Sequence, residues 1–230
     1  MINFYKNKNI VITGAAGGLG KELTTQLHAL GAKICCIVSP TSDIKDIIHY
    51  SDNISRCDLS SQEKTEEFLQ SKIFDDVDIL INCAGIFFLK NITKTTKKDY
   101  NLMMNVNLFS SFSFSLRCSQ SMINKKAGLI INIGSSSCYN GCSDTAVYSI
   151  SKHALLGMSR SLSEELKKHN INVLMFNPGS IKTKMGYLDT RQNVNTFLDP
   201  KKTAEYIIFS SSLCDDMIVH ESRLLRKSNV

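Results

Sequence analysis

The chain has 230 residues, with 27 Lys and Arg against 21 Asp and Glu, 43% apolar residues and 21% charged ones. That balance excludes disorder and fibrous repeats, and the length suits one medium α/β domain spanning 1–230 around a well-buried core. A net charge of +6 fits an anionic ligand such as a nucleotide or simply a Lys-rich surface, and no basic run is dense enough for nucleic acid.

Eight cysteines include no C-x-x-C pair, and no His stands at zinc-finger spacing. Neither a metal site nor a disulfide framework is expected. Several lie in apolar runs, where a free thiol acts as a small hydrophobe, so the natural setting is a reducing cytoplasm. The opening MINFYKNKN lacks a signal peptide's apolar stretch. The longest apolar passage, 79–89, is broken by Asn82 and Gly85 and is too short for a bilayer, so no membrane is expected.

In chain order, residues 9–13 (NIVIT) read as a strand ending at a glycine cluster. A helix follows, with Leu19, Leu23, Leu27 and Leu30 on one face, and Gly31 stops it. Residues 33–38 (KICCIV) form a second strand, 44–50 a short helix, and 53–57 a weaker third strand. Ser60 or Ser61 caps a helix through Leu69. Residues 77–82 (VDILIN) are a fourth strand. Residues 97–124 lack Gly and Pro and read as one long helix. Residues 129–133 (LIINI) are a fifth strand, 146–168 a second long helix, 172–176 a sixth strand, 203–213 a helix and 217–225 a last strand. Strand runs apolar on both faces and separated by helices predict a Rossmann-like, doubly wound parallel sheet of about seven strands with helices on both sides.

Residues 13–20, TGAAGGLG, join the first strand to the first helix. Backbone N–H groups at a helix N-terminus attract a pyrophosphate, and glycine permits its close approach. Gly14, Gly18 and Gly20 spell G-x-x-x-G-x-G, while Gly14, Gly17 and Gly20 spell G-x-x-G-x-x-G. The loop alone leaves both dinucleotide-binding subtypes open. Further on, Tyr148 and Lys152 stand at i and i+4 on one helix face. A neighbouring ammonium favours phenolate and lowers the Tyr pKa, which would make Tyr148 a usable acid or base. Alone, this spacing is common and reads as a solvated helix face. Ser135 follows the fifth strand, and Asn82-Cys83-Ala84-Gly85 ends the fourth. Both lie at the carboxyl edge, where ligands of open α/β sheets bind.

The ordered set TGAAGGLG at 13–20, Asp58, NCAG at 82–85, Asn107 in NVNL, Ser135 in INIGS, YSISK at 148–152 and NPGSIKT at 177–183 resembles the shorter, single-domain type of short-chain dehydrogenase/reductase. The short length and NCAG favour this type over the longer epimerase-like one. The resemblance implies an NAD- or NADP-dependent enzyme moving hydride between nicotinamide and a carbonyl or alcohol of a small molecule. It implies Tyr148 as proton donor, Ser135 as partner of the substrate oxygen, Lys152 as the group that tunes Tyr148 and binds the nicotinamide ribose, and Asn107 as holder of a relay water. Cofactor contacts are implied for Gly14, Ala16, Gly17, Gly18, Leu19, Gly20, Ser39, Asp58 (at the adenine), Leu59, Asn82, Cys83 and Ala84, and for Pro178, Gly179, Ile181 and Thr183. Cys83 stands where the family usually has Asn. The C-terminal stretch lacks the glycine-rich ending of many fatty-acid-type ketoreductases, which points toward small hydroxy compounds. A rival reading is a non-enzymatic cofactor sensor or scaffold, which typically loses the Tyr or Lys.

Three finer expectations follow. The acidic residue that selects NAD would stand at Val38 and the basic one that selects NADP at Ser39 or Gly17. Neither charge is present, and Ser39, Thr41, Ser42 and Lys45 favour NADP(H) modestly, with NAD possible. The loop 184–198 would cover the substrate, with Met185, Tyr187, Leu188 and Phe197 as walls. The long helices carry Phe109, Phe112, Phe114, Leu116, Leu155, Leu156, Met158 and Leu162, more apolar surface than one sheet can cover, and the resemblance implies a homodimer or homotetramer through them.

Overall fold

The computed structural model describes residues 2–214 and 217–227; residues 1, 215, 216 and 228–230, part of the expected domain, lie outside the described residues. Strands β1 (Asn9–Thr13), β2 (Lys33–Val38), β3 (Asn53–Arg56), β4 (Ile79–Asn82), β5 (Gly128–Ile133), β6 (Ile171–Pro178) and β7 (Glu221–Leu224) form one parallel sheet in the order β3-β2-β1-β4-β5-β6-β7. The chain runs outward from β1 to β3, then returns to pair β4 with β1, Thr13 beside Asn82. That reversal leaves a crevice at the carboxyl ends of β1 and β4, where doubly wound sheets bind ligands.

The pleat explains the two cores. Ile10 and Ile12 of β1 pack with Leu19, Leu23 and Leu27 of α2 (Gly18–Ala29) and with Ile207 and Ile208 of α7 (Pro200–Ser211). Val11, one residue out of phase, faces the opposite side with Phe74, with Phe114, Cys118 and Met122 of α5 (Ser110–Lys125), and with Leu166 of α6 (Ala146–Leu166). Successive strand residues point to opposite faces, so a strand covered on both sides must be apolar throughout. The edges depart from that expectation: β3 (NISR) and β7 (ESRL) are polar and largely open to water, because an edge strand has a neighbour on one side only.

Two other expectations change, and one element is new. The helix expected over 97–124 is α4 (Lys97–Met104), a π-helical turn Asn105–Phe109, and α5. A capping box between Thr96 and Asp99 starts it, while the wide turn carries no Gly or Pro to announce it. Residues 44–50 form only a single 3-10 turn at Ile48–Tyr50. An N-terminal turn, α1 (Ile2–Tyr5), escaped the periodicity; Tyr5 is fully buried, and its hydroxyl donates to the Ile208 carbonyl at 2.7 Å and pairs with Ser211 Oγ at 2.7 Å. The remaining helix, α3 (Gln62–Phe68), is capped by Ser61.

Candidate active site

The glycine loop closes the floor of the crevice. Gly14 has φ of +68° and donates its N–H to the Ile37 carbonyl at 2.8 Å; a Cβ there would lie 2.7 Å from Ala84 Cα. A side chain at Gly20 would meet the Gly14 carbonyl at 2.3 Å. These two glycines let chain segments touch. Gly17 and Gly18 play another part: Gly17 starts α2 without a side-chain cap, and a Cβ on Gly18 would meet Thr183 Cγ2 at 2.3 Å. A helix N-terminus whose amides no side chain caps, rimmed by glycine and bordered by Thr183, fits a pyrophosphate. Thr13 Oγ1 accepts from the amides of Cys83 and Ala84, both at 3.2 Å, and so fixes the β4 end to this loop.

Around the other expected cofactor residues the picture varies. Ala16 is half-buried and Leu19 buried in the α2 core. Asn82 is fully buried, its amide donating to Ser115 Oγ at 3.0 Å and Asn132 Oδ1 at 2.9 Å. That side chain stitches β4 to β5 and α5. Asp58 stays near the surface, accepting from Ser60 Oγ at 2.6 Å and Lys64 Nζ at 3.3 Å, which hold its carboxyl below the usual range. Leu59 packs on the core beneath it. Burial pushes the Cys83 thiol up to about 12. Gly179 donates to the Leu224 carbonyl at 2.8 Å, following Pro178 at the end of β6, and Ile181 bridges to Leu198.

At the mouth of the site stand the four residues expected to act in catalysis. Lys152 is buried, and its Nζ donates to the Ile133 carbonyl at 3.1 Å. Gly85 brings it together with Asn107: a Cβ at Gly85 would lie 3.5 Å from Asn107 Oδ1 and 3.7 Å from Lys152 Nζ. Asn107 sits in the π turn, with Oδ1 accepting from the Ile86 amide at 2.8 Å and Nδ2 donating to Ser151 Oγ at 3.0 Å and the Ile86 carbonyl at 3.1 Å. Ser135 Oγ accepts from the Ser137 amide at 3.1 Å, and the Ser135 amide donates to Cys138 Sγ at 3.4 Å. The Tyr148 ring meets Phe87 edge-on at 4.8 Å.

The electrostatics differ from the sequence expectation. Burial pushes the Tyr148 phenol up to about 12, and the adjacent Ser135 hydroxyl pulls the other way. Lys152 is itself pushed down by burial. The lysine does not dominate the tyrosine here: its ammonium stands 5.9 Å from the ring centre and spends a hydrogen bond on Ile133. Desolvation disfavours both charged forms at once.

Ser151 and Arg56 were not singled out from sequence, and Phe197 is placed differently from its reading. Ser151 lies inside YSISK, receives the Asn107 amide and donates to the Tyr148 carbonyl at 2.7 Å. Phe197, expected to line the substrate, is buried; Tyr187 stacks on it at 5.8 Å. Arg56, at the end of β3, donates through one nitrogen to the carbonyls of Ser39, Pro40 and Ser42 at 3.1, 2.8 and 3.2 Å. Only strand pairing, Val38 beside Arg56, brings that cation to the loop after β2.

A family model described as short chain dehydrogenase matches residues 8–193. The chain belongs to the short-chain dehydrogenase family. It is 35% identical over 188 residues to the 3-oxoacyl-[acyl-carrier-protein] reductase FabG of Rickettsia typhi, covering 80% of this chain and 77% of that protein. It is 29% identical over 182 residues to the L-xylulose reductase of Bos taurus, covering 78% and 74%. A metagenomic short-chain oxidoreductase solved in complex with NADP has the same fold, with a TM-score of 0.81 at 24% identity over 98% of this chain and 100% of that one. This short-chain dehydrogenase is accordingly an NAD(P)-dependent oxidoreductase acting between alcohol and carbonyl. Among the described residues, no helix is long and apolar enough to cross a membrane.

Proposed function

We propose that the chain is an NADP(H)-preferring reductase of small, partly polar carbonyl compounds. The observation that carries the catalytic reading is the convergence of Tyr148, Lys152, Asn107 and Ser135 beside a glycine-floored crevice. The nicotinamide cofactor supplies or accepts the hydride. Ser135 Oγ holds the substrate oxygen, and Tyr148 Oη gives that oxygen its proton. Lys152 Nζ binds the ribose and restores the proton to Tyr148. Asn107 keeps the relay end of the site in register with Lys152. Thr183 and the uncapped α2 amides hold the pyrophosphate, and Asp58 borders the adenine.

The preference for NADP(H) draws support from the loop after β2. Val38 offers no carboxylate to repel a 2′-phosphate. Ser39 and Ser42 present paired hydroxyls, Oγ to Oγ 2.8 Å, and Arg56 adds a positive charge to the loop that carries them. The relatives named above include a sugar reductase and an acyl-thioester reductase. The polar loop 184–198 favours the smaller class.

Two further readings accompany it. Phe112 and Leu116 on α5 and Ile150 on α6 are exposed, and Gly157 of α6 has open space beside it. This supports a homodimer or homotetramer through those helices. Cys35, Cys36, Cys57, Cys83, Cys118, Cys138 and Cys142 are free thiols, which suits a cytoplasmic, reducing setting.

The deciding experiment mixes the enzyme with NADPH or NADH and a panel of L-xylulose, 2,3-butanedione and an acetoacetyl thioester. Oxidation of NADPH with 2,3-butanedione or L-xylulose is expected. No turnover with any of the three overturns the substrate reading, and a tenfold higher kcat/KM with NADH overturns the cofactor preference.

A further inference from the structure

One side chain holds the tip of the loop between β6 and α7. At its root the loop is tied to itself: the Lys182 amide donates to the Leu198 carbonyl and the Leu198 amide to the Ser180 carbonyl, both at 2.9 Å. At its tip the buried Asp189 gathers Arg191 Nε at 2.8 Å, Arg191 NH2 at 3.0 Å and Gln192 Nε2 at 3.0 Å. Arg191 NH1 then leaves the loop and reaches Asp144 Oδ2 and Ser143 Oγ, each at 3.3 Å. Asp144 has φ of +62°. Its other carboxylate oxygen accepts from Asn91 Nδ2 at 3.2 Å, and its carbonyl accepts from the Lys90 amide at 2.8 Å. The segments that follow β4, β5 and β6 thus meet at one residue just ahead of Tyr148 on α6.

We propose that Arg191 is a positioning residue of this enzyme: its guanidinium latches the 184–198 loop to Asp144 at the start of the Tyr148 helix, and release of that contact opens the carbonyl side of the cleft. This rests on Tyr148 being the proton donor. The two halves of the contact differ in kind. The Asp189 half is bidentate and on a buried carboxylate, so it keeps the tip folded whether the loop is docked or not. The other half is three long hydrogen bonds, to Asp144 Oδ2 and Ser143 Oγ at 3.3 Å and to the Ser143 carbonyl at 3.4 Å, and its ion pair joins side chains 44% and 36% exposed, so it is weak enough to break and re-form. Opening therefore moves a prefolded tip on its root at 180–182 and 198. Closure excludes water from the reacting carbonyl and seats the substrate against Phe87 and Tyr148.

Hydrogen exchange on the full chain tests the latch without any substrate. In Arg191→Ala the amides of 184–198 should exchange about tenfold faster, with those of β5 and β6 unchanged. Asp144→Asn leaves the Arg191–Asp189 fork intact and should speed the same amides. The double variant should go no further than the larger single effect, because Arg191→Ala already removes the contact that Asp144→Asn weakens. Arg191→Lys keeps the charge but not the fork and should recover part of the protection. With whichever panel carbonyl is reduced fastest, KM should rise about fivefold in Asp144→Asn while kcat stays within about twofold. Calorimetric binding of NADPH should be unchanged. Unchanged exchange in Asp144→Asn, or effects that add in the double variant, would overturn the latch. If none of the panel is reduced, the substrate reading fails while the exchange comparison still decides the latch.

Discussion

Lys152 Nζ donates to the Ile133 carbonyl at 3.1 Å while standing 5.9 Å from the centre of the Tyr148 ring. The β5 carbonyl thus positions the lysine beside the tyrosine and holds it off direct contact. Both groups are buried, and burial works against the charge of each. The division of labour between them can be separated by mutation.

Tyr148→Phe keeps the ring and its edge-on contact with Phe87 but removes the proton donor. Turnover should fall by roughly 10²–10⁴-fold. NADPH binding, read by calorimetry, should survive. Lys152→Met should impair both. Near-normal turnover in Tyr148→Phe would end the role assigned to it.

Stability should decline at high pH. Burial raises the thiols of Cys35 and Cys118 to about 12 and of Cys57 to about 11, from 9.0. Below pH 9 both folded and unfolded chains keep these protons. Above it the unfolded chain releases them and the folded one does not, so folding weakens with each further pH unit. Tyr148, raised to about 12 from 10.0, adds to the decline above pH 10. The Tm should begin to fall near pH 9. A flat Tm between pH 9 and 11 would contradict these environments.

On the acid side, Arg191 holds the Asp189 carboxyl down to about 2. A depressed pKa contributes stability above the unfolded value, near 3.8, and loses it as pH falls toward 2. The loop 184–198 should therefore lose protection against exchange in that window. Asp189→Asn should remove the dependence.

Gly14→Ala places a side chain on a backbone of positive φ and within 2.7 Å of Ala84 Cα. The left-handed conformation alone costs about 1 kcal/mol or more. The clash is with main chain and cannot be relieved by a rotamer. A lower Tm together with lost NADPH binding is expected, and unchanged binding would show that the loop adapts.

The exposed Phe112 and Leu116 of α5 should be covered in solution. Light scattering should give two or four times 25.7 kDa. Leu116→Glu should shift the mass toward the monomer, and a monomer in the unmodified protein would reject the assembly.

The sequence alone determined the alternation of strands and helices. NIVIT, KICCIV and LIINI carry apolar residues on both faces of the pleat, the pattern of a strand buried on both sides. It also determined where the chemistry gathers, because TGAAGGLG, NCAG and Ser135 each stand at a strand end, and a parallel sheet puts all those ends at one edge, while YSISK lies in the first turns of α6. Tertiary structure decided what depends on neighbours distant in the chain. Asn82, read as a cofactor contact, has its amide drawn into the core by Ser115 and Asn132. The π turn at Asn105–Phe109 carries Asn107, which bonds to Ile86 and Ser151, neither of which periodicity can see. Arg56 reaches the loop after β2 only because β3 pairs with β2, and Arg191 reaches Asp144 only because the loops after β5 and β6 fold toward each other. Periodicity reports which face of an element is buried; it carries no record of which distant side chain arrives there.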